Sequence, residues 1–416
     1  MNAKVLIIGL VWPEPETTAA GSRMMQLIRL FSAKGMGVHF ASTALKTSYS
    51  CALDRYGVSA HNIQVNDSSF DSWIKELQPD IVVFDRFVTE EQFSWRVKEH
   101  SNSAIRILDT EDLHLLREAR RLALEEKKSD WTDFLLNDIT LRELASICRS
   151  DLTLVISEVE YNLLKDHFKI DESLLHYLPF LFEEYEIPTG GSLAGYAERR
   201  DFMTMGNWKH GPNRDSILYL KNEVWTEVRK RMPKAHMHVY GAYGKDKDLA
   251  MNDPSAGFFI HGWANSKGEA YSRHRVCLAP IRYGAGLKGK LIDAMRFGIP
   301  SVTTPIGAEG LAGDLPWNGF VSDDPSQMAA LASELYNNKE VWENCQMRGE
   351  TILRARFLGD LFEPGLIKVI AAIRASFEIH RTRNVMGALL WHHNAQSTKY
   401  LSKWIEVKNK FRDQNH

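Results

Sequence analysis

Short apolar runs alternate along the chain with longer stretches in which apolar positions recur every three or four residues. Val5–Leu10, Val38–Ala41, Ile81–Phe84, Ile105–Leu108 and Leu152–Ile156 are apolar over most of their length, the pattern of strands covered on both faces in a parallel sheet. Between the first two, Gly21–Lys34 carries Met24, Met25, Leu27, Ile28, Leu30 and Phe31 on one broad stripe, which predicts a helix. Strand, helix, strand implies a right-handed crossover above a parallel sheet. Glu111–Ser150 reads as mostly helical, and a second series of candidate strands follows: Phe202–Met205, Met237–Tyr240, Phe258–Ile260, Val276–Ala279 and Ser301–Thr303.

Between the two series lies Pro188-Thr-Gly-Gly-Ser-Leu-Ala-Gly, the best linker signal in the chain. The expected organisation is a first α/β domain over 1–190, a second over 191–350, and helices over 351–416. Two doubly wound, Rossmann-like domains in tandem form a cleft at the carboxyl ends of their strands, where this fold class binds ligands. A length of 416 residues suits two such cores and a tail.

Composition narrows the picture by exclusion. A formal net charge of -2 excludes a polyelectrolyte built for nucleic acid. Cys51, Cys148, Cys277 and Cys345 are scattered, with no CxxC or Cys/His cluster to suggest zinc or a disulfide framework. No run approaches the roughly 18 apolar residues of a membrane span. The first apolar run ends at Trp12-Pro-Glu14 without a small-residue cleavage site, so a buried strand is expected there rather than a signal peptide. The expected location is cytoplasmic, peripheral to a membrane at most.

The strongest chemical signal is Arg282-Tyr-Gly-Ala-Gly-Leu-Lys-Gly-Lys-Leu-Ile-Asp-Ala-Met295. A strand runs into Gly284, Gly286 and Gly289, then into a helix. Glycines let backbone approach an anion, helix-start amides donate to phosphate oxygens, and Lys288 and Lys290 supply positive charge. The spacing Gly284 to Lys290 also fits the GxxxxGK of a P-loop, but Leu291 stands where that loop needs Ser or Thr for Mg²⁺.

Arg282–Leu311 resembles the donor-site signature of family-4-like (group 1) glycosyltransferases. Met205-Gly-Asn-Trp-Lys-His-Gly-Pro-Asn-Arg-Asp215 resembles the opening strand, loop and helix of the same family's C-terminal domain. The resemblance is good over about residues 200–320 and weaker over the first domain. It implies the GT-B fold, a nucleoside-diphosphate sugar as co-substrate, an acceptor hydroxyl, no metal and no other cofactor. It further implies that Gly284, Gly286, Leu287 and Lys290 bind the donor, Asp293 the ribose, and Lys209 with Lys288 the diphosphate. Glu309, just beyond another strand end, is either a further contact to the ribose or donor sugar or a turn residue, and the resemblance implies that Gly21 allows close approach from the first domain. One departure stands out: the family often has a carboxylate eight positions before the ribose acid, and Ala285 occupies that place. The identity of the sugar is thereby left open.

On the acceptor side, Asp109–His114 follows a strand and faces the cleft, so His114 is the candidate polar contact at the reacting carbon, with Asp112 second. Arg23 is either a partner for an anion or a solvated first-turn arginine. Asn213 reads as a helix N-cap, and Trp208 as either a base-stacking group or a cover for its loop. Ser157-Glu-Val-Glu160 has capping-box spacing and needs no catalytic role. No nucleophile or carboxylate dyad is evident, which agrees with retaining members of the family, where the donor phosphate is thought to take the acceptor proton.

Residues 381–416 carry seven basic side chains against two acidic ones, and Tyr400, Trp404, Val407 and Phe411 share one helix face. Three roles are open: packing back across the first domain, peripheral contact with an anionic membrane, and contact with nucleic acid or protein. The main reading is a hexosyltransferase, with surface polysaccharide or glycoconjugate synthesis as its setting. The rivals are a non-catalytic nucleotide-sugar-binding or scaffold protein and a transferase acting on nucleic acid.

Overall fold

All apolar runs singled out in the sequence are strands in the computed structural model, which describes residues 3–189, 191, 193–264 and 266–413. Gly190 and Ser192 of the linker lie outside the described residues, as do 414–416 of the tail. The first sheet contains β1 (Lys4–Gly9), β2 (Gly37–Ser42), β3 (Ser59–Asn62), β4 (Ile81–Asp85), β5 (Ile105–Asp109), β6 (Leu152–Val155) and β7 (Leu175–Tyr177). Its order is β3-β2-β1-β4-β5-β6-β7, and the pairings are parallel. The second contains β8 (Arg200–Met205), β9 (Met237–Tyr240), β10 (Phe258–Gly262), β11 (His274–Ala279), β12 (Ser301–Thr303) and β13 (Gly319–Val321), in the order β10-β9-β8-β11-β12-β13. This is the two-domain doubly wound architecture implied by the element order. The strand order reverses between β1 and β4 and between β8 and β11, and crevices open at such points.

The strands that hydrophobic patterning missed lie at sheet edges. β3 is Ser-Ala-His-Asn and largely exposed, so it had no apolar run to reveal it. β7 and β13 have three residues each.

Each sheet is covered on both faces. In the first, Val5, Ile7 and Val83 face one helical layer, and Leu6, Ile8 and Val82 the other. The helix Lys339–Phe357 completes the second domain, burying Ile352, Leu353 and Phe357 there. The chain then recrosses to the first domain at the place where it left. The Phe182 amide donates to Phe357 O at 2.8 Å, and the Gly359 amide to Phe182 O at 2.8 Å. Past that point, the helix Gly359–Ala375 sets Leu366, Ile370 and Ile373 into the first domain's core.

The last helix, Val385–Asp413, also lies on the first domain, but not by the face that its aromatic spacing suggested. It packs inward through Trp391, whose indole N–H donates to Arg149 O at 3.1 Å, and through Ser402 and Glu406, both paired with the buried Arg96. Tyr400, Trp404, Val407 and Phe411 point outward, each more than half exposed. No helix among the described residues is long and apolar enough to cross a membrane.

Candidate functional site

The loops after β1, β4, β5, β8 and β11 meet across the domain boundary and enclose a cleft of about 440 Å³. Of the residues proposed from sequence, His114, Lys209, Gly284, Leu287, Lys288, Lys290 and Asp293 line it. Gly21, Gly286 and Glu309 do not, and each has another occupation. A side chain at Gly21 would strike the Glu14 backbone at about 2.5 Å, so this glycine lets the loop after β1 fold onto the first helix. Gly286 has φ +62° and touches Asp112 of the facing domain, and its amide donates to Glu160 Oε1 at 2.6 Å. Its N–H is therefore committed to protein rather than to a phosphate. The Glu309 carboxylate takes two hydrogen bonds from Arg120, at 2.8 and 2.6 Å, and lies 3.9 Å from Lys288 Nζ.

These contacts make the glycine-lysine loop an interdomain joint. Arg120, on the first domain's helix His114–Glu125, also donates to Gly284 O at 2.8 Å. Glu160 accepts from Gly286 N and, at 2.9 Å, from Leu113 N. The capping box expected at Ser157–Glu160 is accordingly not formed: Ser157 caps that helix without a side-chain hydrogen bond, because Glu160 serves one buried amide from each domain. Arg23 is likewise neither solvated nor free for an anion. It is fully buried, bonded to Asp109 at 2.8 Å and to Leu178 O at 2.7 Å, and so fixes the end of β5. Trp208 is buried in the second domain's core, which makes it a cover for its loop. Asn213 is not the cap of its helix. The helix Gly211–Tyr219 starts after His210, with Pro212 in its first turn, and Asn213 turns back to donate to Asn207 O at 3.2 Å.

Charge in the cleft is divided between its walls. On the second domain, Lys288 Nζ donates to Gly286 O at 2.8 Å, and Lys290 Nζ is buried without a hydrogen-bond partner. Burial pushes both ammonium groups down to about 8. An unpaired buried cation is costly, and an anion entering the cleft would relieve that cost. Lys209 stands over the Tyr243 ring, its Nζ 3.6 Å from the centroid. Asp293, on the helix Gly289–Arg296, is 3.2 Å from Lys267 and 3.3 Å from Arg296.

On the first domain, the cleft is lined by Arg86, Glu111, Asp112, His114 and Arg117. Burial lowers His114 to about 3, helped by Arg117 and Arg86. At neutral pH the imidazole is uncharged, with Nε2 3.6 Å from Asp112. Glu111 is forced well above the carboxylate range by burial and by Asp109, and its Oε1 has no hydrogen-bond partner. Glu111 and Arg86 both hold left-handed backbone, φ 63° and 69°, strain of a kind that clusters at functional sites. Sequence reasoning missed both as site residues. Glu111 lay inside a segment already placed at the cleft, and Arg86 directly follows an apolar strand, so position at a strand's carboxyl end was the available signal.

Among the described residues, one group of His, Asp, Glu or Cys has ligand atoms close enough for a metal, and it lies outside this cleft. Residues 199–338 match the family model for glycosyl transferases group 1. No curated protein matches the chain. Similar solved structures include a variant of S. aureus TarM in complex with fondaparinux, alpha-GlcNAc-glycerol and UDP, at TM-score 0.67 and 10% identity over 88% of this chain and 99% of that one. Anabaena HepE in complex with UDP and glucose gives TM-score 0.67 and 10% identity over 89% and 100%. Sucrose-phosphate synthase from Thermosynechococcus elongatus gives 0.68 and 12% over 90% and 100%. At such identities the likeness is one of fold. Residues 199–338 are thus similar to a group 1 glycosyltransferase domain, and the chain as a whole has the GT-B fold of the solved structures it resembles.

Proposed function

We propose that this protein moves a hexose from a nucleoside-diphosphate donor to an acceptor hydroxyl with retention at the anomeric carbon. The observation that carries the reading is the pair of buried ammonium groups, Lys288 and Lys290, in the cleft wall where β11 leads into the helix Gly289–Arg296. The donor diphosphate lies against them, with Lys209 reaching over from the loop after β8, and Asp293 takes the ribose hydroxyls. As the sugar–phosphate bond breaks, charge builds on the departing phosphate, and fixed cations in a water-poor cleft stabilise it. The sugar then faces Glu111, Asp112 and His114. Because Ala285 offers no carboxylate, we assign sugar recognition to Glu111. Its Oε1, buried without a hydrogen-bond partner, can accept from a sugar hydroxyl.

The test is turnover of nucleotide sugars, with the product's anomeric configuration read by NMR. Retention, at a rate unchanged by added Mg²⁺, is expected. An inverted product overturns the mechanism, and donor binding without turnover on any acceptor favours a non-catalytic binder.

The lysines also set a pH dependence. Both are charged below about 8 and lose charge above it, so nucleoside-diphosphate affinity is highest below pH 8 and falls as pH rises. Each lysine that must be protonated contributes a loss approaching about tenfold per pH unit above its pKa. Titration calorimetry from about pH 6.5 to about pH 9.5 checks the sign.

We assign the outward face of the last helix to an anionic membrane surface. Tyr400, Leu401 and Trp404 are each more than half exposed beside Lys403 and Lys408, the arrangement of an interfacial amphipathic helix. In flotation with vesicles rich in phosphatidylglycerol, the wild-type chain is expected to rise with the lipid and Trp404→Glu to stay behind. Equal partitioning of the two removes the assignment.

A further inference from the structure

At the opposite end of the second sheet from the cleft, three side chains converge that sugar transfer does not use. β8 and β9 are parallel neighbours with Phe202 beside Met237, so Asp201 and His236 lie side by side just before that pair. His236 and His238 are two residues apart, and side chains at that spacing along a strand share a face. Asp201 Oδ2 lies 3.7 Å from His236 Nδ1 and 3.8 Å from His238 Nε2. The three ligand atoms all fall within 4.8 Å of one another.

We infer that Asp201, His236 and His238 form a binding site for one first-row divalent transition metal of the Zn²⁺ type. Two imidazoles and a carboxylate are a donor set for such an ion, and bond lengths of about 2.0–2.2 Å put tetrahedral ligand atoms roughly 3.3–3.5 Å apart. Closing the two Asp201–imidazole spacings to that value takes a few tenths of an ångström, and the two imidazole nitrogens already lie within 4.8 Å of each other. The half-exposed His236 leaves room for water to complete the coordination sphere.

Two further observations favour a metal over a simple ion pair. Asp201 holds left-handed backbone at φ 59°, a conformation that costs energy at a non-glycine residue and persists only where something holds it. Its carboxylate is fixed by the His236 amide, which donates to Oδ1 at 3.3 Å and leaves Oδ2 for a cation. Second, His238 Nδ1 lies 2.8 Å from His261 Nε2 on β10. If Nδ1 carries the proton and donates it to His261, the Nε2 lone pair faces Asp201 and His236. An outer-shell partner that sets the tautomer in this way is typical of histidine ligands. Asp201 is four residues before Met205, which lines the cleft, so about 13 Å of strand separates the two sites. The ion acts on the β8–β9–β10 edge and takes no part in sugar transfer.

The test uses the full chain without a histidine tag. Zn²⁺ is titrated against a chromophoric chelator, and Co²⁺ is added as a spectroscopic probe. Expected are one tight Zn²⁺ per chain, visible Co²⁺ ligand-field bands, and a higher melting temperature with metal. His238→Ala should abolish the bands, and His261→Gln, which keeps all three ligands, should weaken Zn²⁺ about 10- to 100-fold. Metal-free melting curves establish that each variant is folded. Stoichiometry well below one, or equal binding by wild type and a folded His236→Ala/His238→Ala double variant, overturns the site.

Discussion

Lys290→Ala is expected to lower kcat by about 10²- to 10³-fold while the protein remains folded, the usual cost of removing one preorganised group that meets developing charge. The size of the effect follows from where the ammonium sits. It is buried in the cleft wall with no hydrogen-bond partner, so its desolvation is already complete before any anion enters. On the proposed function, loss of that charge bears on the departing phosphate more than on the fold. Methionine at 290 would keep the stem's packing and separates the two contributions. Steady-state kinetics with a fixed acceptor, alongside thermal melting, reads both. A variant with unchanged kcat would show that the diphosphate lies elsewhere in the cleft.

Arg120→Ala should damage both stability and rate. Arg120 is almost wholly buried and is bonded to Glu309 and to Gly284 O. Removing one member of a buried ion pair leaves the other charge uncompensated, at a cost of about 3–5 kcal/mol. Because Glu309 is only partly buried, the lower end is expected here. The rate should fall as well, because the same guanidinium holds the glycine loop at the height where Lys288 and Lys290 face the cleft. Urea unfolding and kcat/KM measured on the same preparation test this. A normal rate in a destabilised protein would limit Arg120 to stability.

The sequence revealed the cleft's second-domain wall better than its first-domain wall, for a physical reason. Gly284, Lys288, Lys290 and Asp293 lie within ten residues of one another, so loop chemistry and helix start can be read together. Arg120 and Glu160 act on that loop from positions more than 120 residues earlier, and nothing local distinguishes Arg120 from the neighbouring Arg121, which pairs with Glu118 and Glu125 on its own helix. Gly286 illustrates the limit of reading a glycine-rich loop as a phosphate cradle. Its glycine is needed for a left-handed turn and for Asp112, and its amide goes to Glu160. The tail shows the same limit for amphipathic spacing. Tyr400, Trp404, Val407 and Phe411 do share a face, but spacing cannot say whether that face turns toward the protein.

The return crossing beside Phe182 bears on how the chain folds as it is made. Leu366, Ile370 and Ile373 belong to the same core as Val5, Ile7 and Val83, so the first domain waits for residues made after the second domain. The second domain, whose cores draw on residues between 156 and 357, is complete before them. At about 5–20 residues per second, the part of that face later covered by Leu366, Ile370 and Ile373 stays open for roughly 10–40 s while residues 190 to 373 are synthesised. The second domain is therefore expected to complete its core before the first. A nascent-chain series arrested on either side of residue 373 would show protease resistance in the second domain first.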